Sequence, residues 1–208
     1  KKRSNHEINI DHLLNFFKGT SPNINMCGNN GDPIYHSEFF KLCSDLKKII
    51  QNYPKNAHPM DTTRTSVSHL SLEDPETEIN TPEFDYKKFI RIFAKTPTAV
   101  AANFRTRKGL NIINPNKDLS FSENFFHMCF GKVPSKDVVK AFDVSLILYA
   151  EHSFNASTFA SRVITSTLAD IHSAIVGGIS ALKGPLHGGA NEVVMKMFFD
   201  IKEPENAE

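Results

Sequence analysis

Apolar side chains recur at helical spacing through most of the second half of the chain. From Ser157 onward almost every interval is three or four residues, which places these side chains on one face of a helix. The positions are Phe159, Val163, Ile164, Leu168, Ile171, Ile175, Ile179 and Leu182. Alternation of period two, the pattern of a half-buried strand, extends over no useful length. The sequence therefore predicts an all-α fold, with one long helical stretch over residues 157–182.

Start and stop signals divide the rest of the chain into shorter helices. Asp61 is predicted to cap one helix, Pro97 to kink another, and Gly131 to end a third. Ser135 is predicted to cap the helix that follows, and the polar, proline-containing residues 71–83 are predicted to form a linker. The predicted helices cover residues 7–18, 37–51, 61–70, 84–104, 121–130, 136–150 and 193–199.

Composition excludes several classes of protein. The chain has 208 residues, enough for one sizeable core or two small domains. Its 24 basic and 23 acidic residues give a net charge of +1, which does not favour nucleic-acid binding. No apolar run approaches the roughly 18 residues that cross a bilayer, so no membrane contact is predicted. Cys27, Cys43 and Cys129 form no Cys-x-x-Cys pair, which favours reduced thiols in an intracellular protein and predicts neither a metal site nor disulfides.

The most distinctive segment, residues 184–191, surrounds a histidine with glycines. Pro185 ends the helical stretch before it, and Gly188 and Gly189 remove side-chain bulk and permit backbone angles that other residues avoid. His187 should therefore lie just before a helix N-terminus, whose partial positive charge disfavours imidazolium. A neutral imidazole can donate one hydrogen bond to a carbonyl oxygen, which suits an enzyme that forms an enol. The same residues also fit a connecting loop with an incidental histidine.

A second motif lies upstream, with His152 at the end of one helix and Asn155 before the next. On its own such a histidine is usually a boundary residue. Together, the sequences Glu-His-x-x-Asn-Ala-Ser-Thr and Gly-Pro-x-His-Gly-Gly-Ala-Asn-Glu resemble the citrate synthase family. Residues 144–197 are most similar to its 2-methylcitrate synthase branch. Further similar segments are Ala57-His58-Pro59-Met60-Asp61, Arg64-Thr65, Phe126-His127 and Gly131-Lys132-Val133-Pro134-Ser135.

The resemblance implies a citrate synthase-like large helical domain, truncated before the small domain. It is strong over residues 57–202 and weak over 1–56, which divides the chain into an N-terminal helical segment, 1–56, and a large-domain core, 57–208. In the family the small domain carries a second histidine in a His-x-Val-Tyr motif, the aspartate that removes the α-proton, arginines for oxaloacetate and contacts to coenzyme A. None of these groups can be assigned in this chain, so the chain alone is expected to be incomplete.

The resemblance also implies the chemistry: an acyl-CoA:oxaloacetate C-acyltransferase that makes citrate from acetyl-CoA or 2-methylcitrate from propionyl-CoA. His187 then corresponds to the catalytic histidine that stabilises the enol, and His152 and Asn155 to residues that bind oxaloacetate. Tyr149 stands where many citrate synthases have another histidine, which favours the 2-methylcitrate branch. A coenzyme A thioester is the expected co-substrate, with no permanently bound cofactor and no metal.

Small residues suggest where another helix comes close. Ala174, Gly177, Gly178 and Ala181 lie three or four residues apart, which fits close packing within the subunit or across a dimer axis. The resemblance favours a homodimer through residues 157–183, in the cytoplasm or the mitochondrial matrix. The alternative is a non-catalytic helical dimerisation module derived from the same fold.

Overall fold

The computed structural model describes residues 42–150 and 153–201. The predicted helix at 7–18, Cys27 and His152 lie outside these residues. Across the described ranges the regular structure is entirely α-helical, as predicted. The eight helices are α1 (Ser44–Gln51), α2 (Pro59–Glu73), α3 (Pro82–Arg107), α4 (Phe121–Phe130), α5 (Lys136–Tyr149), α6 (Ala156–Thr165), α7 (Ile171–Leu182) and α8 (Gly189–Ile201). None of the helices seen here is both long and apolar enough to span a bilayer.

The main core joins the first three helices. Its buried members are Leu42, Leu46, Ile50, Leu70, Ala99 and Ala102. They come from α1 and Leu42, two residues before it, from α2 and from α3, so α1 packs against the same core as the two longer helices. Burial of such side chains contributes about 1.5–3 kcal/mol each for the larger aliphatic ones.

Helix α2 begins earlier than predicted, and Asp61 does not cap it. The N-cap is His58, whose extended backbone precedes Pro59 and whose Nδ1 accepts a hydrogen bond from Met60 N at 3.2 Å. Proline suits the first helical position because its ring fixes φ and no N–H is needed there. The helix continues to Glu73, so it takes up the start of the predicted linker.

Helix α3 is longer than predicted and contains Pro97 in its interior. The side chain of Lys88 in this helix is fully buried, and its ammonium group donates to Ile79 O at 2.9 Å and to Thr77 O at 3.2 Å. These bonds satisfy carbonyl groups of the turn between α2 and α3, which would otherwise lose their hydrogen bonds to water. The linker predicted at 71–83 is therefore held against α3 by a buried ammonium group.

The predicted stop of α4 at Gly131 and the predicted cap of α5 at Ser135 are confirmed. Ser120 forms a capping box with Glu123 at the start of α4, and Gly131 ends that helix in the left-handed conformation, with φ of 75°. Ser135 is the N-cap of α5, although its side chain makes no capping hydrogen bond.

The stretch predicted as helical over 157–182 is divided into α6 and α7. Helix α6 ends at Thr165, Leu168 adopts a φ of 65°, and Asp170 caps α7 by accepting from Ser173 N at 3.0 Å. The apolar spacing did not indicate this break, because Ile164, Leu168 and Ile171 keep intervals of four and three residues across the turn. The local signal was Asp170 itself, a good N-cap residue inside an apolar pattern.

The small-residue face of α7 packs against α6 of the same subunit. A Cβ added to Gly177 would clash with Ile164 Cδ1, and one added to Gly178 would lie 2.7 Å from Ser161 Oγ. Ser161 Oγ also donates to Ala174 O at 3.0 Å. Of the two alternatives that the sequence left open, close packing within the subunit therefore accounts for Gly177 and Gly178.

Candidate active site

His187 lies in the tight turn between α7 and α8, two residues before α8 begins. The turn is closed by backbone hydrogen bonds from His187 N and Gly189 N to Gly184 O, at 3.0 and 3.1 Å. Gly188 is required by space rather than by backbone angle, because a Cβ there would clash with Leu182 O. The sequence predicted reduced side-chain bulk and permissive backbone angles at Gly188; the structure uses the reduced bulk for packing against Leu182, and no positive φ is observed there.

A hydrogen-bonded chain connects His187 to the start of α6. His187 Nε2 lies 3.0 Å from Ser157 Oγ, and Ser157 Oγ donates to Asn155 Oδ1 at 2.6 Å. Asn155 Oδ1 is itself fixed, because it caps α6 by accepting from Thr158 N at 2.8 Å. A serine hydroxyl has one hydrogen. With that hydrogen on Asn155, the contact between Ser157 and His187 is donated by the ring nitrogen Nε2.

The second motif therefore reaches His187 through a residue that spacing did not single out. Asn155 was predicted to contact oxaloacetate, and the structure shows its carboxamide oxygen engaged in a helix cap. Ser157 lies two residues further on and was not predicted as a site residue. No periodic signal marks it, because its partner is 30 residues away in the chain.

Helix α2 approaches the other side of the same turn. His58 Nε2 lies 3.4 Å from Glu192 Oε1 in the first turn of α8. Since Nδ1 of His58 accepts from Met60 N, a neutral ring carries its hydrogen on Nε2, facing the carboxylate. Glu192 therefore contacts α2 from the first turn of α8.

An ion pair ties α2 to the end of α7. Lys183 Nζ lies 2.6 and 2.8 Å from the two carboxylate oxygens of Asp61, and Arg64 lies 3.0 Å from the same carboxylate. The Lys183 ammonium, hydrogen-bonded to Asp61, holds the pKa of that carboxyl below its usual value of 3.8. Asp61 is thus an anion at neutral pH and a fixed partner for both cations.

Helix α5 contributes the last of these contacts. Tyr149 donates its hydroxyl hydrogen to Asn191 Oδ1 at 3.1 Å, which links the residue three before His152 to the glycine-rich turn. Four segments that the sequence marked separately are therefore adjacent in space. They meet around residues 183–192. The catalytic role of His187 and the binding of oxaloacetate by Asn155 and His152 are proposals.

The arrangement can hold an imidazole in a defined orientation, and the described acids around it are already paired. Asp61 faces Lys183 and Arg64, and Glu192 faces His58. A carboxylate that acts as a base must be free to accept a proton from substrate, and these two are held by cations or by a ring N–H. The site is thus suited to stabilising charge on an oxygen atom, and it lacks an available carboxylate base among the described residues.

Comparison with known proteins gives the family context. Residues 35–208 match the family model described as "Citrate synthase, C-terminal domain". A citrate synthase of Mycolicibacterium smegmatis is 51% identical over 167 residues, which cover 80% of this chain and 44% of that protein. A 2-methylcitrate synthase of Mycobacterium tuberculosis is 52% identical over 162 residues, covering 78% of this chain and 41% of that protein.

A solved structure agrees with the fold. The citrate synthase of Thermoplasma acidophilum, determined in a ternary complex with carboxymethyl coenzyme A and oxaloacetate, superposes with a TM-score of 0.74 at 26% identity. The match covers 83% of this chain and 45% of that one. The chain thus spans less than half the length of these relatives.

Proposed function

Because this chain belongs to the citrate synthase family, we propose that it forms the large-domain part of an enzyme that condenses oxaloacetate with a short acyl-CoA. The proposed reaction removes a proton α to the thioester, adds the resulting enol to the ketone of oxaloacetate, and hydrolyses the thioester to release coenzyme A. The observation that carries the proposal is the hydrogen-bonded chain from Asn155 through Ser157 to His187, in the turn before α8.

In this proposal His187 offers a ring N–H to the thioester oxygen as negative charge develops there. A neutral imidazole has one hydrogen, so in this proposal the Ser157 hydroxyl turns from Asn155 to donate to Nε2 when substrate binds, which leaves the ring hydrogen on Nδ1 for the thioester oxygen. Donors held in place before the reaction stabilise a developing oxyanion without reorganisation, and removing one such donor typically costs about 10²–10³ in rate.

The α-proton would be removed by a base from outside the described residues. Asp61 contacts Lys183 before the His187 turn, Glu192 lies in the helix after it, and both carboxylates are paired. In the family this base is an aspartate of the small domain. We therefore propose that the site is completed by a domain following this segment, and that the isolated chain binds substrate poorly and does not turn over.

Oxaloacetate would be bound at the junction of α5 and α6, by His152 and Asn155. Because the Oδ1 of Asn155 caps α6, the contribution of this residue to oxaloacetate would come from its amide nitrogen. No permanently bound cofactor is required, since the coenzyme A thioester is the second substrate.

Propionyl-CoA is the proposed acyl donor, giving 2-methylcitrate. The support is Tyr149, which replaces the histidine of many citrate synthases and is anchored to Asn191. The relatives named above are bacterial, which favours the cytoplasm over the mitochondrial matrix as the proposed location.

A homodimer is proposed through the outer surface of α6 and α7. Phe159 is 58% exposed and Val163 is 50% exposed on α6, beside a shallow groove lined by Arg162, Ile175 and Ile179. A second copy would bury these apolar side chains, whereas the glycines of α7 are already used inside the subunit.

The experiment compares this chain with an extended protein, in which the chain continues through the small domain that follows in the family. Release of free coenzyme A from propionyl-CoA and oxaloacetate is followed with a thiol reagent. The proposal expects background from the 208-residue chain and turnover from the extended protein, with propionyl-CoA preferred over acetyl-CoA. Background activity from both proteins would support the non-catalytic dimerisation module instead.

A further inference from the structure

Three side chains of different chemistry meet between the start of α1 and the end of α2. They are Cys43, the residue before α1, and His69 and Glu73, one turn apart on α2. Their Sγ, imidazole nitrogen and carboxylate oxygen all lie within 4.8 Å of one another. The cluster lies outside the His187 turn and none of its members serves the proposed reaction.

The contacts within the cluster converge on one atom. Glu73 Oε1 lies 3.1 Å from His69 Nε2 and accepts a hydrogen bond from the Cys43 thiol. The other carboxylate oxygen, Oε2, faces Lys95 Nζ of α3 at 3.9 Å. Lys95 therefore holds Oε2 of Glu73, while Oε1 faces the Cys43 sulfur and the His69 imidazole. Residues that contact metal ligands commonly orient them in this way.

The donor set is selective. Thiolate, imidazole and carboxylate together are ligands of Zn²⁺, whereas Ca²⁺ and Mg²⁺ require oxygen ligands alone. The His69 and Glu73 side chains are 18% and 19% exposed, so the cluster is largely shielded from solvent but still accessible to it. Three protein ligands with a fourth position left to water is a common zinc arrangement.

We propose that Cys43, His69 and Glu73 form a site for a zinc-type divalent cation. Binding replaces the hydrogen bond from thiol to carboxylate: the Cys43 proton leaves to solvent and its sulfur, His69 Nε2 and Glu73 Oε1 coordinate the ion.

The bound ion would fasten α1 to α2. Cys43 caps α1 by accepting from Leu46 N at 3.2 Å, so a metal on its sulfur would hold the first turn of α1 against the last turn of α2. A ligand that binds only the folded state raises its stability in proportion to the logarithm of its concentration above Kd. The consequence is a melting temperature that increases with zinc.

The test uses Co²⁺ as a spectroscopic probe and Zn²⁺ as its competitor, on the purified full chain. A thiolate on Co²⁺ gives an intense near-ultraviolet charge-transfer band, which we expect at one equivalent and which zinc should abolish. The matched control is the double variant Cys27→Ser, Cys129→Ser, which leaves Cys43 as the single thiol and should keep the band.

Three variants complete the test. Cys43→Ser should lose the band while an oxygen still caps α1, and His69→Gln and Glu73→Gln should weaken zinc binding more than about 100-fold, beyond the range of outer-partner changes. Circular dichroism verifies that each variant is folded. A band that persists in folded Cys43→Ser, no band in the double variant, or zinc affinity unchanged in the three variants would overturn the proposal and leave an adventitious ion only.

Discussion

Lys183 Nζ donates hydrogen bonds to both carboxylate oxygens of Asp61, at 2.6 and 2.8 Å, although the two residues are 122 positions apart in the sequence. Lys183 is the C-cap of α7, immediately before the turn that carries His187, and Asp61 is in the first turn of α2. On the other side of the turn, Glu192 contacts His58, the N-cap of the same helix α2. The turn is therefore held at both ends by the N-terminal end of one helix.

This anchoring predicts that Lys183→Met lowers activity more than stability. Both partners are about one-third exposed, so their loss should change the melting temperature little. A displaced His187 turn should lower kcat of the extended protein about tenfold, because small errors in position are costly in catalysis. Arg64→Met is the control, since it also removes a cation from Asp61 but leaves the turn attached. Equal losses in the two variants would contradict a positioning role.

Ser157 is predicted to govern the hydrogen bonding of His187. Ser157→Ala should reduce kcat about 10- to 100-fold with a smaller effect on KM, because it removes the partner of Nε2 without touching the substrate. Ser157→Thr keeps a hydroxyl and should recover much of the loss. Ser166→Ala, an exposed serine at the end of α6 bonded to Val163 O, is the control and should be silent. Full activity in Ser157→Ala would show that Ser157 does not position His187 for the reaction.

The outer surface of α6 is predicted to hold the dimer together. Phe159→Asp places a charge on an exposed apolar side chain, so it should produce folded monomers in analytical ultracentrifugation. Leu72→Asp is the control, at a residue that is 80% exposed on α2 and should leave the dimer intact. A monomeric parent protein at micromolar concentration would show the interface to be wrong.

Gly178→Leu is predicted to destabilise the subunit itself. The new side chain would overlap Ser161 Oγ, which is already 2.7 Å from the position of a Cβ, so α6 and α7 must separate. Overpacking of this kind costs about 1–3 kcal/mol. The measurement is urea unfolding of the Phe159→Asp monomer with and without Gly178→Leu, which separates packing within the subunit from dimer loss. An unchanged midpoint would contradict the packing of these two helices.

His172 is predicted to make stability depend on mildly acidic pH. Burial lowers the pKa of this 2% exposed imidazole below 6.5; nearby Asp74 and Asp170 oppose the shift, and Lys88 and Arg91 reinforce it. The unfolded state then binds a proton at higher pH than the folded state, so the free energy of unfolding decreases as pH falls below about 6.5. One proton gives a slope of at most about 1.4 kcal/mol per pH unit.

The check is urea unfolding between pH 7.5 and 5.5 for the parent protein and His172→Gln. The variant has no titrating ring, so its stability should change less over this range, even if it is lower throughout. Identical pH dependence in the two proteins would show that other groups are responsible.

The sequence predicted features that depend on neighbouring residues. Gly131 ends α4 as expected, and Pro185 with Gly188 indicated the turn around His187. Local signals failed where two of them competed, as when Pro59 moved the start of α2 from Asp61 to His58. At Asp170 the apolar period continued through a helix break and concealed it.

Contacts between distant residues could not be predicted from spacing. The pairs Lys183–Asp61 and His187–Ser157 depend on how α2, α6 and α7 pack, which no short motif records. The same reason explains why the cysteine pattern predicted no metal site. Cys43 lies 30 residues before Glu73, and both of its proposed partners belong to α2, so the spacing of the cysteines does not indicate them.

The central claim is that this chain supplies the enol-stabilising histidine while the base comes from another domain. The most direct measurement is coenzyme A release by the extended protein and its His187→Ala variant, with propionyl-CoA and oxaloacetate as substrates. We predict a fall in kcat of at least about 10²-fold with the fold and dimer unchanged, the cost of losing a donor to a developing oxyanion. Activity within a few-fold of the parent in folded His187→Ala would contradict the account.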